Sequence, residues 1–134
     1  MERRTLLATV GAAATTALAG CNTGLSASEY DVEMTANRYR PQEITVSTGE
    51  TVTWGNTSSR GHSVTAYESS LPENADYWAS GGFDSEEAAR DGYPRQGNVQ
   101  SGETYGYQFD VAGTYEYFCI PHERGGMVGT VVVE

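Results

Sequence analysis

Residues 115–127, YEYFCIPHERGGM, bring a thiol, an imidazole and a thioether into nine consecutive positions and surround them with aromatics, one proline and two glycines. Tyr115, Tyr117 and Cys119 alternate, which places them on one face of a β-strand. If Cys119 ends that strand, one tight loop can carry His122 and Met127 back to the same point. Pro121 stiffens such a loop, and Gly125 and Gly126 let it turn back.

The same period-two pattern extends outward. TYGYQFDVAGTYEYFC reads as two strands, with Tyr105, Tyr107 and Phe109 on one face and a turn near Ala112 and Gly113. Upstream, EITVSTGETVTW reads as a further pair, Ile44 and Val46 facing Val52 and Trp54 across a turn at residues 47–50. HSVTAY is a third candidate and MVGTVVVE closes the chain as a strand. Many short strands with turn signals between them predict an all-β fold, an antiparallel sandwich or barrel. One segment dissents: FDSEEAARDGYP carries Asp84 or Ser85 as an N-cap, Glu87 in capping-box position from Asp84, Gly92 as a stop and Pro94 beyond it. This predicts a short helix within a long inserted loop, residues 68–99. The insertion is read as surface elaboration, with a docking surface over part of the site as the alternative.

The chain has two histidines, two cysteines and three methionines, so the candidate ligands are few. His62 lies in a Ser-, Arg- and Gly-rich stretch at the start of HSVTAY, where it can approach the same end of a sandwich as Cys119. Two imidazoles, a thiolate and a thioether form the ligand set of a blue-copper site, the thioether being a long axial ligand. Each residue also has a plainer reading: Cys119 as an inert buried thiol, His122 as a surface residue, Met127 as core like Met34, His62 as a loop residue. The four assignments stand or fall together.

The formal charge is −10, from 18 acidic and 8 basic residues, and every basic residue is arginine. Such acidity disfavours nucleic acid and anionic lipid as ligands of the folded part, since both require cationic surface. Absence of lysine beside abundant acid resembles the composition of proteins from salt-loving organisms. At the N-terminus, Arg3 and Arg4 precede a weakly apolar run, residues 5–20, that ends LAGC at Cys21. Sixteen such residues are short for a span, which takes about 20 strongly apolar ones. The arrangement resembles a lipoprotein export signal with its lipobox, and RRTLLA resembles a twin-arginine (Tat) signal. It implies cleavage after residue 20, lipidation of Cys21, a tether over residues 21–29 and a domain over residues 30–134. An ordinary signal peptide with a chance cysteine is the alternative.

YEYFCIPHERGGMVGTVVV, together with GETVTWGN followed by GHSVTA and the ASGGFDSEEAARDGYP insertion, resembles the plastocyanin-like cupredoxins. The likeness is greatest to the halocyanins, membrane-anchored blue copper proteins of halophilic archaea, and covers residues 38–134. It implies a Greek-key β-sandwich and one type 1 copper ion held by His62, Cys119, His122 and Met127. It also implies an electron carrier at the extracytoplasmic face of the cell membrane, exchanging electrons with membrane redox proteins; a monomer is expected. The ring edge of His122 would be the electron port; loop position places Ile120, Pro121 and Met127 at its rim. The chain departs from the family at Ser63, where many relatives have an asparagine that ties the two ligand loops together.

Enzymatic readings fare worse. The multicopper oxidases and copper nitrite reductases that share the implied fold need further histidines, one beside the cysteine, where this chain has Phe118 and Ile120. A Cys119 and His122 nucleophilic pair would need an oxyanion pocket and an orienting group that nothing marks. A non-redox copper or zinc module is the remaining alternative, although zinc gains little from a thioether. A disulfide between Cys21 and Cys119 would take both from the roles their surroundings indicate.

Overall fold

The computed structural model describes residues 24–134, so the export-signal and Cys21 readings lie outside the described residues. Eight strands form two four-stranded sheets. The first sheet has β2 (Tyr39–Arg40), β1 (Val32–Met34), β4 (Glu50–Asn56) and β6 (Thr104–Phe109), in that spatial order. The second has β3 (Glu43–Val46), β8 (Val128–Val133), β7 (Gly113–Phe118) and β5 (Thr65–Ala66). Among the described residues no helix is long and apolar enough to cross a membrane.

The sandwich is as expected, but its sheets are mixed rather than wholly antiparallel. β1 runs parallel to β4, and β3 runs parallel to β8. The strands expected to form a hairpin at residues 43–54 part company: β3 joins one sheet and β4 the other. Ile44 and Val46 meet the core that holds Val52 and Trp54 from across the sandwich, not within one ladder. β6 and β7 likewise belong to opposite sheets. Alternation alone shows which residues point inward and does not distinguish a ladder partner from a partner across the core. β1 and β2, too short and charged to stand out in the sequence, supply Val32, Met34 and Tyr39 to the interior.

β8 buries Gly129, Val131 and Val133 on alternate positions. Gly129 lies opposite Tyr117, whose ring occupies the space that a β-carbon would take. Trp54 is fully buried at the centre, stacked on Trp78 with centroids 5.6 Å apart and meeting the Tyr117 ring edge-on at 5.3 Å.

Trp78 belongs to the insertion, and it corrects the expectation of surface elaboration. Trp78, Ala79, Ala89 and Val99 are all buried, and Trp78 also stacks on Tyr107 of β6 at 5.4 Å. The insertion completes the core beside the two-residue strand β5. Its helix α1 (Glu86–Gly92) starts at Ser85, whose hydroxyl accepts the Ala88 N–H at 3.1 Å. With Ser85 as the cap, the third helical position is Ala88, so the capping box expected between Asp84 and Glu87 does not form.

Trp54→Ala is expected to destabilise the protein by about 3–5 kcal/mol through cavity formation, measured as a lower urea midpoint with an unchanged slope.

Candidate metal centre

β7 ends at Phe118, and Cys119 begins the ligand loop with no exposed surface. A 3-10 turn (Ile120–Gly125) follows, with Pro121 in its first positions. The Cys119 carbonyl accepts the His122 N–H at 3.1 Å, and the His122 carbonyl accepts the Met127 N–H at 3.2 Å. Gly126 alone makes the reversal, with φ 94° in the left-handed region; Gly125 keeps an ordinary φ. Cys119 then donates its own N–H to the Met127 carbonyl at 3.0 Å, closing the loop on itself.

His62 arrives from the other side of the fold. Its backbone pairs with Val99 of the insertion, N–H to carbonyl in both directions, at 3.1 and 2.7 Å. Its Nδ1 lies 3.6 Å from Cys119 Sγ, and His122 Nδ1 lies 3.3 Å from the same sulfur. The ligand atoms of His62, Cys119 and His122 all fall within 4.8 Å of one another. Met127 is fully buried and packs in the same core cluster as Cys119. Met34, read as core, is fully buried in β1. The structure thus brings His62, Cys119 and His122 together, and places Met127 in the interior rather than at the expected surface rim.

Ser63 resolves the departure noted in the sequence. Its Oγ accepts the Ile120 N–H at 2.9 Å, and its N–H points at Cys119 Sγ at 3.4 Å. The two ligand loops are therefore tied through a serine hydroxyl. The Ser63 carbonyl in turn accepts the Tyr39 hydroxyl at 2.6 Å.

Two residues that sequence reasoning passed over orient His62. Ser58 Oγ sits 3.1 Å from His62 Nε2 and donates its proton to Asn56 Oδ1 at 2.7 Å. The hydroxyl can then only accept from the ring, so Nε2 carries the proton and Nδ1 is left free toward the sulfur. Buried Asn56 is held by donating to the carbonyls of Arg60 at 2.6 Å and Val99 at 2.9 Å. The run GNTSSRGH carried a signal for this, since Asn and Ser just before a turn bond locally to the backbone.

Burial, with the neighbouring His122 and Arg60, lowers the His62 pKa to about 4; burial and then Arg60 lower that of His122. Both imidazoles are neutral at pH 7 and can coordinate. Burial pushes the Cys119 thiol up to about 11, partly offset by backbone N–H groups of Ser63 and His122. A bound cation would remove that proton. One soft thiolate, a buried thioether and two neutral imidazoles fit copper better than zinc, which has little use for the thioether.

The sandwich and this donor set define the cupredoxin class of copper protein. Residues 26–134 match the family described as copper binding proteins, plastocyanin/azurin family. The chain belongs to that family. The chloroplastic plastocyanin of Tetradesmus obliquus is 33% identical over 129 residues, covering 93% of this chain and 81% of the relative. Plastocyanin of Scenedesmus fuscus is 35% identical over 96 residues, covering 72% and 86%. Among solved structures, a reduced amicyanin mutant matches with a TM-score of 0.56 at 30% identity, covering 77% of this chain and 79% of that one.

NMR titration of the metal-free protein is expected to show His62 with a midpoint near 4 and His122 below its ordinary value. Because the folded His62 pKa lies below the unfolded one, its contribution is present above pH 6.5 and lost as pH falls through about 4. The loss is roughly 3 kcal/mol of unfolding free energy. A His62 midpoint at 6 or above would contradict the buried, tautomer-locked geometry.

Proposed function

We propose that this protein is a blue-copper electron carrier in which His62 Nδ1, Cys119 Sγ, His122 Nδ1 and the Met127 thioether hold one copper ion. The observation that carries this is the convergence of three donor atoms from two loops within 4.8 Å, one of them a fully buried thiol. Copper bound there supplies a one-electron Cu(II)/Cu(I) couple.

The chain's own residues supply the rest. The closed loop from Cys119 to Met127 and the Ser63 tie hold the donors in one arrangement, so little must move when the charge changes. Burial of Cys119 and His62 excludes water from the sulfur and one imidazole. His122 is the one imidazole donor with exposed surface, and its Nε2 lies 3.5 Å from the exposed Arg60 guanidinium. It is the electron port, rimmed by half-buried Ile120 and exposed Pro121. Both histidines of the chain lie in this one cluster, leaving no imidazole for a second copper centre of the oxidase kind.

The cellular setting rests on the sequence. In this reading the protein is of halocyanin type, exported by a twin-arginine signal and lipidated on Cys21. It is held as a monomer at the outer face of the cytoplasmic membrane, where it shuttles electrons between membrane redox proteins. Two acyl chains anchor firmly where a single one binds only marginally, and a tether of about eight residues favours short-range exchange.

Titrating the mature protein with Cu(II) is expected to give an intense blue band that saturates at one copper per chain, is bleached by ascorbate and returns with oxidant. Cys119→Ser should abolish the band, and Met127→Leu should keep it while raising the reduction potential. Tight colourless zinc binding without any blue band would instead favour the non-redox module. In cells, Cys21→Ser should move the protein from the membrane to the soluble fraction; retention on the membrane would refute the lipid anchor.

A further inference from the structure

Two residues that adjoin proposed ligands meet a single side chain of the insertion. Phe118 precedes Cys119 and Glu123 follows His122. Arg90, on α1, places its guanidinium carbon 4.3 Å from the centroid of the buried Phe118 ring. Its Nη1 donates to Glu123 Oε1 at 2.9 Å and its Nη2 to Glu123 Oε2 at 3.3 Å. The same guanidinium donates through Nε and Nη2 to Glu86 Oε2, at 3.0 and 2.8 Å.

The partners of Arg90 are themselves anchored. Tyr67 stacks on the Phe118 ring, centroids 4.3 Å apart, and its hydroxyl donates to Glu123 Oε2 at 2.6 Å. Tyr67 is fixed to β7 by its N–H, which donates to the Glu116 carbonyl at 2.9 Å. Glu86 accepts the Glu68 N–H at 3.0 Å, and Glu68 accepts the Glu86 N–H at 3.1 Å, joining the start of the insertion to the start of α1.

We propose that Arg90 is a positioning residue for the copper centre: it braces the ligand loop at Glu123 and the strand end at Phe118 against the insertion helix. An isolated exposed ion pair adds little to stability. Here a planar fork engages two carboxylates and lies on an aromatic ring, which fixes position as well as charge. Its effect falls on the turn that carries His122; the Ile120 N–H ties the start of that turn to Ser63, but the backbone groups of His122 itself bond only within the loop. The insertion thereby contributes to the rigidity of the centre without contacting the ion. This inference rests on the copper reading above.

The test compares wild-type protein with Arg90→Gln, Arg90→Lys and, as a destabilised control far from the loop, Val133→Ala. Three quantities are read: copper release to a chelator, electron self-exchange by NMR line broadening, and amide hydrogen exchange in the metal-free protein. Arg90→Gln is expected to keep a blue band, release copper about tenfold faster, slow self-exchange several-fold and deprotect the amides of His122, Gly126 and Met127. The β3–β8 amides should stay protected, and Arg90→Lys, which keeps the charge but not the fork, should recover part of each effect. A blue wild-type protein whose three quantities are unchanged in Arg90→Gln, or altered no more than in Val133→Ala, overturns the role of Arg90 alone. A wild-type chain that never turns blue overturns the copper reading and the positioning role with it.

Discussion

A thiol without exposed surface, held at the end of a strand by both neighbouring loops, is the constraint on which the rest of this protein depends. Cys119 gives its N–H to Met127, takes the Ser63 N–H toward its sulfur, and has its next residue, Ile120, tied to the Ser63 hydroxyl. A shift of β7 would change all three contacts at once, and a shift of β5 both of those that Ser63 makes. That coupling makes a rigid donor set possible without a bulky scaffold, because the sheet itself sets the distance between the two loops.

His62 is oriented from behind. Its ring has only two nitrogens, and the chain from Ser58 to Asn56 settles which one holds the proton. Asn56 ends β4 and spans the carbonyls of Arg60 and Val99, so the first sheet, the His62 loop and the end of the insertion meet at one amide. Such a network is costly to leave half-satisfied in the interior, which favours a single arrangement.

The insertion acts at two depths. Trp78 and Val99 enter the core, where the stack from Tyr107 through Trp78 to Trp54 joins the insertion to the first sheet. Arg90 works at the surface, between the helix and the ligand loop. Two carboxylates there, Glu86 of the helix and Glu123 of the loop, share its one guanidinium.

Much of the centre was legible in the chain. Cys119, His122 and Met127 lie within nine residues, so local spacing and a proline and glycine turn sufficed to suggest a shared loop, and alternation of Tyr115, Tyr117 and Cys119 showed which face was inward. The helix was legible from its termini, though a cap one residue later removed the expected capping box. What the sequence by itself determined is therefore local: the donor types, the strand period, the loop that closes and the acidic surface. The tertiary structure decided what depends on residues distant in the chain. It sent β3 and β4 to opposite sheets, brought His62 within 3.6 Å of Cys119, gave Ser63 the loop tie, and turned the insertion from elaboration into core and brace. The physical reason is that a period of two records only inward and outward. Ladder partners, proton positions and ion-pair partners are set by which segments the packed core brings together.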